Sequence, residues 1–540
     1  MKNNKKTIAY FSMEFAVSDV IPNFSGGLGV LAADLILAAA DLNMNVVGIT
    51  LLYHQHDNPQ KAFVPTMMKK MRQQVVIEIE GRRVRVAIWK LAVRTNAGKK
   101  ALIYFLDTNL AENVKQDRDL TKTIYLDDPE GRLGQEMVLG VGGVKALQVL
   151  GLEVSNYHLN EGHCSCAILE KLIENEGDIA KTRRQFTFTT HTPVAAGHDY
   201  FNYDIVERLM GELLPENIRD LSLNEVFGMT QLALNMSAKT NSVSVKHRAV
   251  CREMFPTHKF VNITNGIYHP RWVSERMKKM LNKYLNNWHS NPSDLSVASE
   301  MLPDIDLRRA HGREKEKMIS WINENRKNFP LVNFKKSDLL ENDILTIAFA
   351  RRIVPYKRTD LIFRNLNRLL QIGDGKIQLI FAGNPRVNDE YYNSVIGNIK
   401  KSAEFLRGHI KVAFINKYNL EIAKRLLSGT DIWLNTPVIG NEASGTSGMK
   451  AALNGAINIS SADGWWLEAM KMDKKCGWQF GGGNGDDADD EELLDAIEEA
   501  TNCYYKHPEQ WLNKMKRSIA LLSHFNAHRA VREYCEKMWQ

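Results

Sequence analysis

The chain contains no run of eighteen or more apolar residues, so no segment reads as a membrane-spanning helix. It has only 6 cysteines in 540 residues. Cys164 and Cys166 stand one residue apart, and Cys251, Cys476, Cys503 and Cys535 stand singly, which offers neither a disulfide framework nor a zinc spacing. A reducing compartment is the simplest reading. The basic opening, MKNNKKTIAYFSMEF, lacks the apolar core of a secretory signal, so the expected location is cytoplasmic. Charge of one sign is also scarce. Lys plus Arg number 70 and Asp plus Glu 63, and an excess of +7 spread over this length does not argue for nucleic acid. There is no internal repeat and no low-complexity tract. What is present is an ordinary globular mixture, 44% hydrophobic and 25% charged, with material for more than one core.

Short apolar runs alternate with longer helical patterns, the signature of parallel α/β sheets. The runs predict strands at 7–11, 45–52, 101–106 and 185–190, and a second series at 344–350, 377–382, 410–414 and 431–434. A polar, helix-rich stretch at 282–343, with basic clusters at Arg326-Lys327 and Lys335-Lys336, reads as a hinge between two doubly wound domains. Ligands of such sheets sit outside the carboxyl ends of the strands, and two sheets facing each other would form a deep cleft. The pattern at 527–539 predicts an amphipathic packing helix. Gly481 to Gly485 followed by Asp486 to Asp490 reads as a loop and an acid-rich helix start, without the acid spacing of an EF-hand.

Six stretches could carry chemistry. Ser25-Gly26-Gly27-Leu28-Gly29 lies between a strand and a helix predicted over 31–42, where glycines admit an anion to free N–H groups. His158-Leu159-Asn160-Glu161-Gly162-His163, Thr190-His191-Thr192-Pro193 and Asn262-Ile263-Thr264-Asn265-Gly266-Ile267 end strands with amides, imidazoles and one carboxylate, a mixture suited to a hydroxyl-rich ligand and not to zinc. Arg351-Arg352-Ile353-Val354-Pro355-Tyr356-Lys357-Arg358 places four cations within eight residues directly after an apolar strand, and phosphate is the obvious guest. No Walker A motif accompanies it. Asn441 to Gly455 puts small and hydroxyl residues before a helix that carries Lys450, a candidate for an amine able to form a Schiff base.

Glu442-Ala443-Ser444-Gly445-Thr446-Ser447-Gly448-Met449-Lys450 resembles the segment of the α-glucan phosphorylases (glycogen, starch and maltodextrin phosphorylases) whose lysine binds pyridoxal phosphate. The glycine loop, Asn160-Glu161-Gly162-His163, Thr190-His191-Thr192, Thr264-Asn265-Gly266-Ile267, Trp272 and the 351–358 stretch are similar to further motifs of that family and occur in family order. Arg351 stands where the family has a lysine, Glu161 where it has an aspartate, and Ser447-Gly448 where it has Gly-Asn.

The resemblance implies two facing Rossmann-like doubly wound domains, the type-B glycosyltransferase fold, with the active site in the interdomain cleft. It suggests a division at 1–325 (glycine loop, glucan and glucose contacts), 326–520 (phosphate and cofactor site) and 521–540 (a C-terminal helix packing back near the first domain). It implies phosphorolysis of α-1,4-glucan or maltodextrin at non-reducing ends, consuming inorganic phosphate and releasing α-glucose 1-phosphate with retention. The cofactor would be pyridoxal 5'-phosphate on a Schiff base to Lys450, contacted by Arg351, Thr446, Ser447, Trp272 and Tyr418. Catalytic roles fall to Arg352, Lys357 and His191, and substrate contacts to Gly26, Gly27, Leu28, His163, Asn265, Glu442, Ser444 and Gly445. No metal, nucleic acid or membrane is implied, and a homodimer is left open. The alternative with the same fold is a glucosyltransferase that uses a nucleotide-sugar donor, as starch and glycogen synthases do.

Overall fold

Runs such as Val46–Leu51 and Leu345–Ala350 are buried along their whole length. This is what strands of a parallel sheet covered by helices on both faces require. The computed structural model describes residues 7–55, 63–329, 339–384, 389–416, 418–482 and 488–540. They pack as two units, Met1–Thr264 with Ala527–Gln540, and Asn265–Asn526. Lys335-Lys336 and residues 483–487 of the 481–490 stretch lie outside the described residues.

In the first unit the strands are β1 (Thr7–Phe11), β2 (Val46–Leu51), β3 (Lys69–Ile79), β4 (Arg82–Arg94), β5 (Lys100–Asp107), β6 (Val154–Asn160), β7 (Phe186–Thr189), β8 (Tyr200–Asn202), β9 (Val226–Gly228), β10 (Lys239–Ser242) and β11 (Phe260–Asn262). Nine of them form one sheet in the order β11-β10-β7-β6-β1-β2-β5-β4-β3, while β8 and β9 pair separately. Pairing is parallel from β11 through β5, and β4 and β3 add on antiparallel. Chain order reverses between β1 and β6, which makes their carboxyl ends the topological switch point. The β3–β4 connection is two residues, Glu80 and Gly81, both at positive φ (52° and 69°), the geometry of a type I′ hairpin.

The second unit holds β12 (Leu345–Ala350), β13 (Ile377–Ala382), β14 (Lys411–Ile415), β15 (Ile432–Asn435), β16 (Ile457–Ser461) and β17 (Gly477–Phe480). All pair in parallel in the order β14-β13-β12-β15-β16-β17. Counted within the unit this is 3-2-1-4-5-6, the doubly wound order, with its switch point between β12 and β15.

The chain divides not within 282–343 but between Thr264 and Asn265, and again between Asn526 and Ala527. The long helix Asp304–Glu324 buries Leu307, Ala310, Met318, Ile319 and Ile322, a helical stripe set in an otherwise polar segment. It packs against the helix Leu420–Gly429 so closely that a Cβ on Gly429 would lie 2.7 Å from Met318 Cβ. From the same helix the buried Lys315 donates to Asp431 Oδ2 (2.5 Å) and to the carbonyl of Ile344 (2.7 Å).

The C-terminal helix Ala527–Lys537 belongs to the first unit. Beyond it, Trp539 Nε1 donates to Nδ1 of the buried His158 (3.0 Å).

Candidate active site

In the first unit, β1 and β6 deliver their side chains to the switch point together. Asn160 Nδ2 donates to Ser12 Oγ (3.0 Å), closing the gap between the two strand ends. The other end of that amide, Oδ1, lies 2.7 Å from His191 Nε2 and accepts from it, so the proton of His191 sits on Nε2. Glu161 then turns the chain at φ 79°, a costly conformation for a residue with a side chain. Its buried carboxylate accepts from the backbone N–H of His191 (2.7 Å), from Thr192 Oγ1 (3.0 Å) and from Gly162 N (3.1 Å). Burial works against that charge, but His198, His191 and His163, with the His191 N–H, hold the carboxyl below its usual range. Burial pushes His191 itself down to about 4 against the pull of Glu161, so the imidazole is neutral at pH 7.

His163 stacks at a tilt on Tyr125, with ring centroids 5.5 Å apart, and its Nε2 lies 3.4 Å from Asp199 Oδ2. Arg132 pairs with Asp199 (3.1 Å) and with the fully buried Glu136 (3.2 Å). The helix Gly27–Asp41 starts on the glycine loop itself, earlier than the apolar periodicity indicates.

In the second unit, β12 ends at Ala350, so Arg351 is the first residue past its carboxyl end, and Asn435 closes β15 beside it. Arg351 Nη1 donates to Asn435 Oδ1 (3.3 Å) across the switch point, and its Nη2 donates to Glu442 Oε2 (2.6 Å). Lys357, buried, donates to the same carboxylate oxygen and lies 4.4 Å from the Tyr356 ring centroid. Burial alone would raise Glu442; Arg351 and Lys357 overcome it and hold the carboxyl at about 2. Burial drives Lys357 the other way, to about 7, with Arg351 adding repulsion and Glu442 opposing. Arg352 is exposed, and its charge also reaches Lys357.

Glu442 is held in place by Asp463. Asp463 Oδ2 accepts from the N–H groups of Gly440 and Glu442 (2.9 Å each), and Oδ1 accepts from Gly464 N (2.8 Å). Burial raises Asp463 to about 6.

The helix Thr446–Leu453 follows Gly445, which is left-handed at φ 86°. Lys450, one turn in, donates to Thr446 Oγ1 (3.2 Å), and its ammonium lies 4.4 Å from the centroid of Trp272. Asn454 fixes that indole's backbone by donating to the carbonyl of Trp272 (2.9 Å). Trp433 Nε1 donates to Ser447 Oγ (3.2 Å). Gly448 leaves no room for a side chain, since a Cβ there would lie 2.4 Å from Asn458 Oδ1 and 3.0 Å from Trp465. Tyr418 is pinned by two bonds between its backbone and the Asn384 amide, and burial raises its phenol. Asn265 is buried at the start of this unit. Two buried polar atoms, Ser444 Oγ and Arg351 Nε, have no partner among the described residues, and such groups point to a ligand or water.

The second unit therefore brings Arg351, Lys357 and Glu442 into direct contact, and Thr446, Lys450 and Trp272 into a second group. In the first unit His191 sits with Asn160 and Glu161, while His163 sits with Tyr125 and Asp199. Motif reading missed the supporting carboxylates Glu14, Glu136, Asp199 and Asp463. The available signal was weak: Glu14 and Asp463 each follow the end of an apolar strand run.

The sequence pattern of the carbohydrate phosphorylases matches residues 215–482. The maltodextrin phosphorylase of Thermococcus litoralis is 31% identical, in an alignment covering 99% of this chain and 70% of that protein. The glycogen phosphorylase of Aquifex aeolicus is 28% identical over 99% of this chain and 86% of its own length. An uncharacterized protein of Methanocaldococcus jannaschii is 31% identical over 99% of this chain and the whole of its own length. The likeness to the Thermococcus litoralis enzyme over nearly the whole of this chain, with the family pattern at 215–482, means that the chain belongs to the carbohydrate phosphorylase family.

Proposed function

We propose that the protein is an α-glucan phosphorylase that cleaves α-1,4-glucan or maltodextrin at the non-reducing end, with inorganic phosphate as acceptor and α-glucose 1-phosphate as product, configuration retained. The observation that carries this reading is the cluster Arg351–Glu442–Lys357 at the switch point of the second sheet, in the same unit as the buried Lys450 beside Trp272. Two cations share one carboxylate there, an arrangement that phosphate can enter by competing with Glu442 for them.

The residues also fit pyridoxal phosphate: a buried amine beside an indole, a helix N-terminus with hydroxyls at Thr446 and Ser447, and a guanidinium whose Nε has no partner among the described residues. Lys450 would hold the aldehyde, Trp272 and Tyr418 would flank the group, and Arg351, Thr446 and Ser447 would hold its phosphate. Bound there, the cofactor supplies a second phosphate able to give and take a proton, an acid/base use and not that of an electron sink.

The chain's own residues do the rest. Lys357 and Arg352 bind the substrate phosphate and meet the negative charge that grows as a proton leaves it. Glu442, Ser444 and Gly445 face the transferred glucose, with Asn265, His163 and His191 as further contacts. Neutral at pH 7, His191 contributes hydrogen bonds without charge, and its backbone carbonyl is suited to a developing positive sugar. Of the glycine loop, Gly27 and Leu28 lend backbone N–H groups, whereas the N–H of Gly26, also expected to do so, already donates to Glu14 Oε2 (3.1 Å).

The test is direct. The purified protein should carry a cofactor absorbance that borohydride fixes to Lys450, and should make glucose 1-phosphate from maltodextrin and phosphate. Activity with a nucleotide-sugar donor and no such absorbance would overturn the proposal in favour of a synthase.

A further inference from the structure

We infer that Glu14 is a positioning residue of the first unit: its carboxylate takes up the inward N–H groups of the glycine loop and leaves Gly27 and Leu28 as the loop's outward donors. Only the consequence for turnover rests on the phosphorolysis reading above; the clamp itself is geometric.

The argument begins with the strand. β1 ends at Phe11, and the next residues emerge at the switch point, where Ser12 is already bonded to Asn160. Glu14 is 3% exposed. A buried carboxylate needs donors, and the loop provides them. Oε2 accepts from the backbone N–H of Ser25 (2.9 Å), Gly26 (3.1 Å) and Gly29 (3.3 Å), and Oε1 accepts from Tyr125 Oη (2.5 Å).

A helix beginning at Gly27 leaves four N–H groups without an intrahelical acceptor, those of Gly26, Gly27, Leu28 and Gly29. Glu14 takes the first and the last. Nothing among the described hydrogen bonds engages Gly27 or Leu28 in this way.

The glycines separate along the same line. A Cβ on Gly29 would lie 2.7 Å from Glu14 Cβ and 2.9 Å from Glu14 Oε2, so glycine is required there for the carboxylate to fit. Cβ atoms on Gly26 and Gly27 would meet nothing within 4 Å, and neither residue is at positive φ. The protein's own packing and backbone do not demand glycine at those two positions; the empty space lies on the side where Gly27 is exposed. A negative charge placed on the helix N-terminus also offsets part of its positive end. The remaining donors orient a ligand whose charge is met elsewhere.

The experiment compares Glu14→Ala and Glu14→Gln with the cofactor-loaded native enzyme, using hydrogen–deuterium exchange over 24–30 and initial rates against phosphate. In Glu14→Ala the exchange over 24–30 should accelerate roughly tenfold or more, with β1 and β6 protected as before. Its kcat/KM for phosphate should fall by about 10- to 100-fold, the loss of charge-assisted contacts, while the cofactor absorbance stays full. Glu14→Gln keeps one acceptor oxygen and should be intermediate in both. Unchanged exchange over 24–30 in Glu14→Ala overturns the clamp, and accelerated exchange with native phosphate kinetics overturns its positioning role. If Glu14→Ala loosens the whole sheet, Glu14→Gln decides: faster exchange confined to 24–30 supports the clamp, and none overturns it. If the native enzyme makes no glucose 1-phosphate yet the exchange effect is present, the clamp stands and the phosphorolysis reading falls.

Discussion

At the switch point of the first sheet the bridge between strand ends runs from Asn160 to Ser12, two neutral groups. At that of the second it runs from Arg351 to Asn435, with Lys357 and Glu442 attached to the same knot. The topological device is the same, and the chemistry placed on it is opposite. Around the first bridge stand amides, carboxylates and imidazoles that burial keeps neutral, His191 at about 4 and His158 at about 3. Around the second stand three cations within seven residues of one another. The first surface suits hydroxyl groups and a developing positive charge, and the second suits phosphate. Each unit also satisfies its strongest donors with a carboxylate of its own, Glu14 on the glycine loop and Glu442 between Arg351 and Lys357.

The largest effects should come from the second unit. Lys450→Ala should be isolated without the cofactor absorbance and essentially inactive. Lys357→Ala should keep that absorbance and lose phosphorolysis by on the order of 10- to 150-fold, the worth of one charge-assisted contact of roughly 1.5–3 kcal/mol, with arsenolysis weakened in parallel. Loss of the cofactor from Lys357→Ala with its covalent retention in Lys450→Ala would reverse the two roles.

A lesion in the first unit should separate from these in kind. Glu161→Gln leaves the fold of the turn but gives up one of the acceptor oxygens that serve His191, Thr192 and Gly162. We expect kcat to fall about tenfold, as for one buried hydrogen bond to a charged group, and KM for phosphate to stay within about twofold. A phosphate KM that rises as much as in Lys357→Ala would erase the distinction between the two surfaces.

The same contrast explains what could be read from the sequence. β1 and β13 appear residue for residue at 7–11 and 377–382, because a strand buried on both faces is a continuous apolar run. β3 and β4 escaped because their exposed positions carry Lys69, Lys70, Arg72, Arg83 and Arg85, which break the run into short alternations. The hinge placed at 282–343 followed polarity, whereas the helix Asp304–Glu324 within it buries Leu307, Ala310, Met318, Ile319 and Ile322. At the site, Arg351 and Lys357 were legible since cations in a tight cluster after a strand have few structural uses, and Glu442 and Lys450 through the resemblance of the 442–450 segment to that of the α-glucan phosphorylases. Glu14 and Asp463 were not. Each works by accepting backbone N–H groups from a turn distant in sequence, and a turn's N–H directions are set by the fold and leave no residue pattern.

The pH dependence sharpens the cationic side of the comparison. With Lys357 at about 7, its charge is present below that value and lost above it. The kcat/KM for phosphate, which follows the free enzyme, should therefore decline as pH rises through about 7. Phosphate ionises in the same range, so the informative quantity is the difference from Lys357→Arg, whose guanidinium stays charged. That variant should move the declining limb upward by about one pH unit or more, whatever its absolute rate. Coincident limbs in the two enzymes would show that Lys357 does not titrate there.

The smallest effect should lie at the far end of the neutral network in the first unit. Trp539 Nε1 donates to His158 Nδ1 (3.0 Å), which leaves the proton of that imidazole on Nε2, 3.0 Å from Thr189 Oγ1. Thr189 in turn donates to Asn241 Oδ1 (2.5 Å), and Asn241 Nδ2 donates to Tyr534 Oη (3.2 Å). The chain's last turn is thus tied to the strand that ends just before His191. Trp539→Phe keeps a ring to stack on Tyr534, whose centroid lies 5.2 Å from that of Trp539, and removes only the donor. One neutral hydrogen bond is worth about 1 kcal/mol, so the urea midpoint of the first unit should drop slightly, and kinetics well below that midpoint should be unchanged. A loss of turnover comparable to Glu161→Gln would mean that the C-terminal segment sets the position of His191 as well as the stability of its sheet.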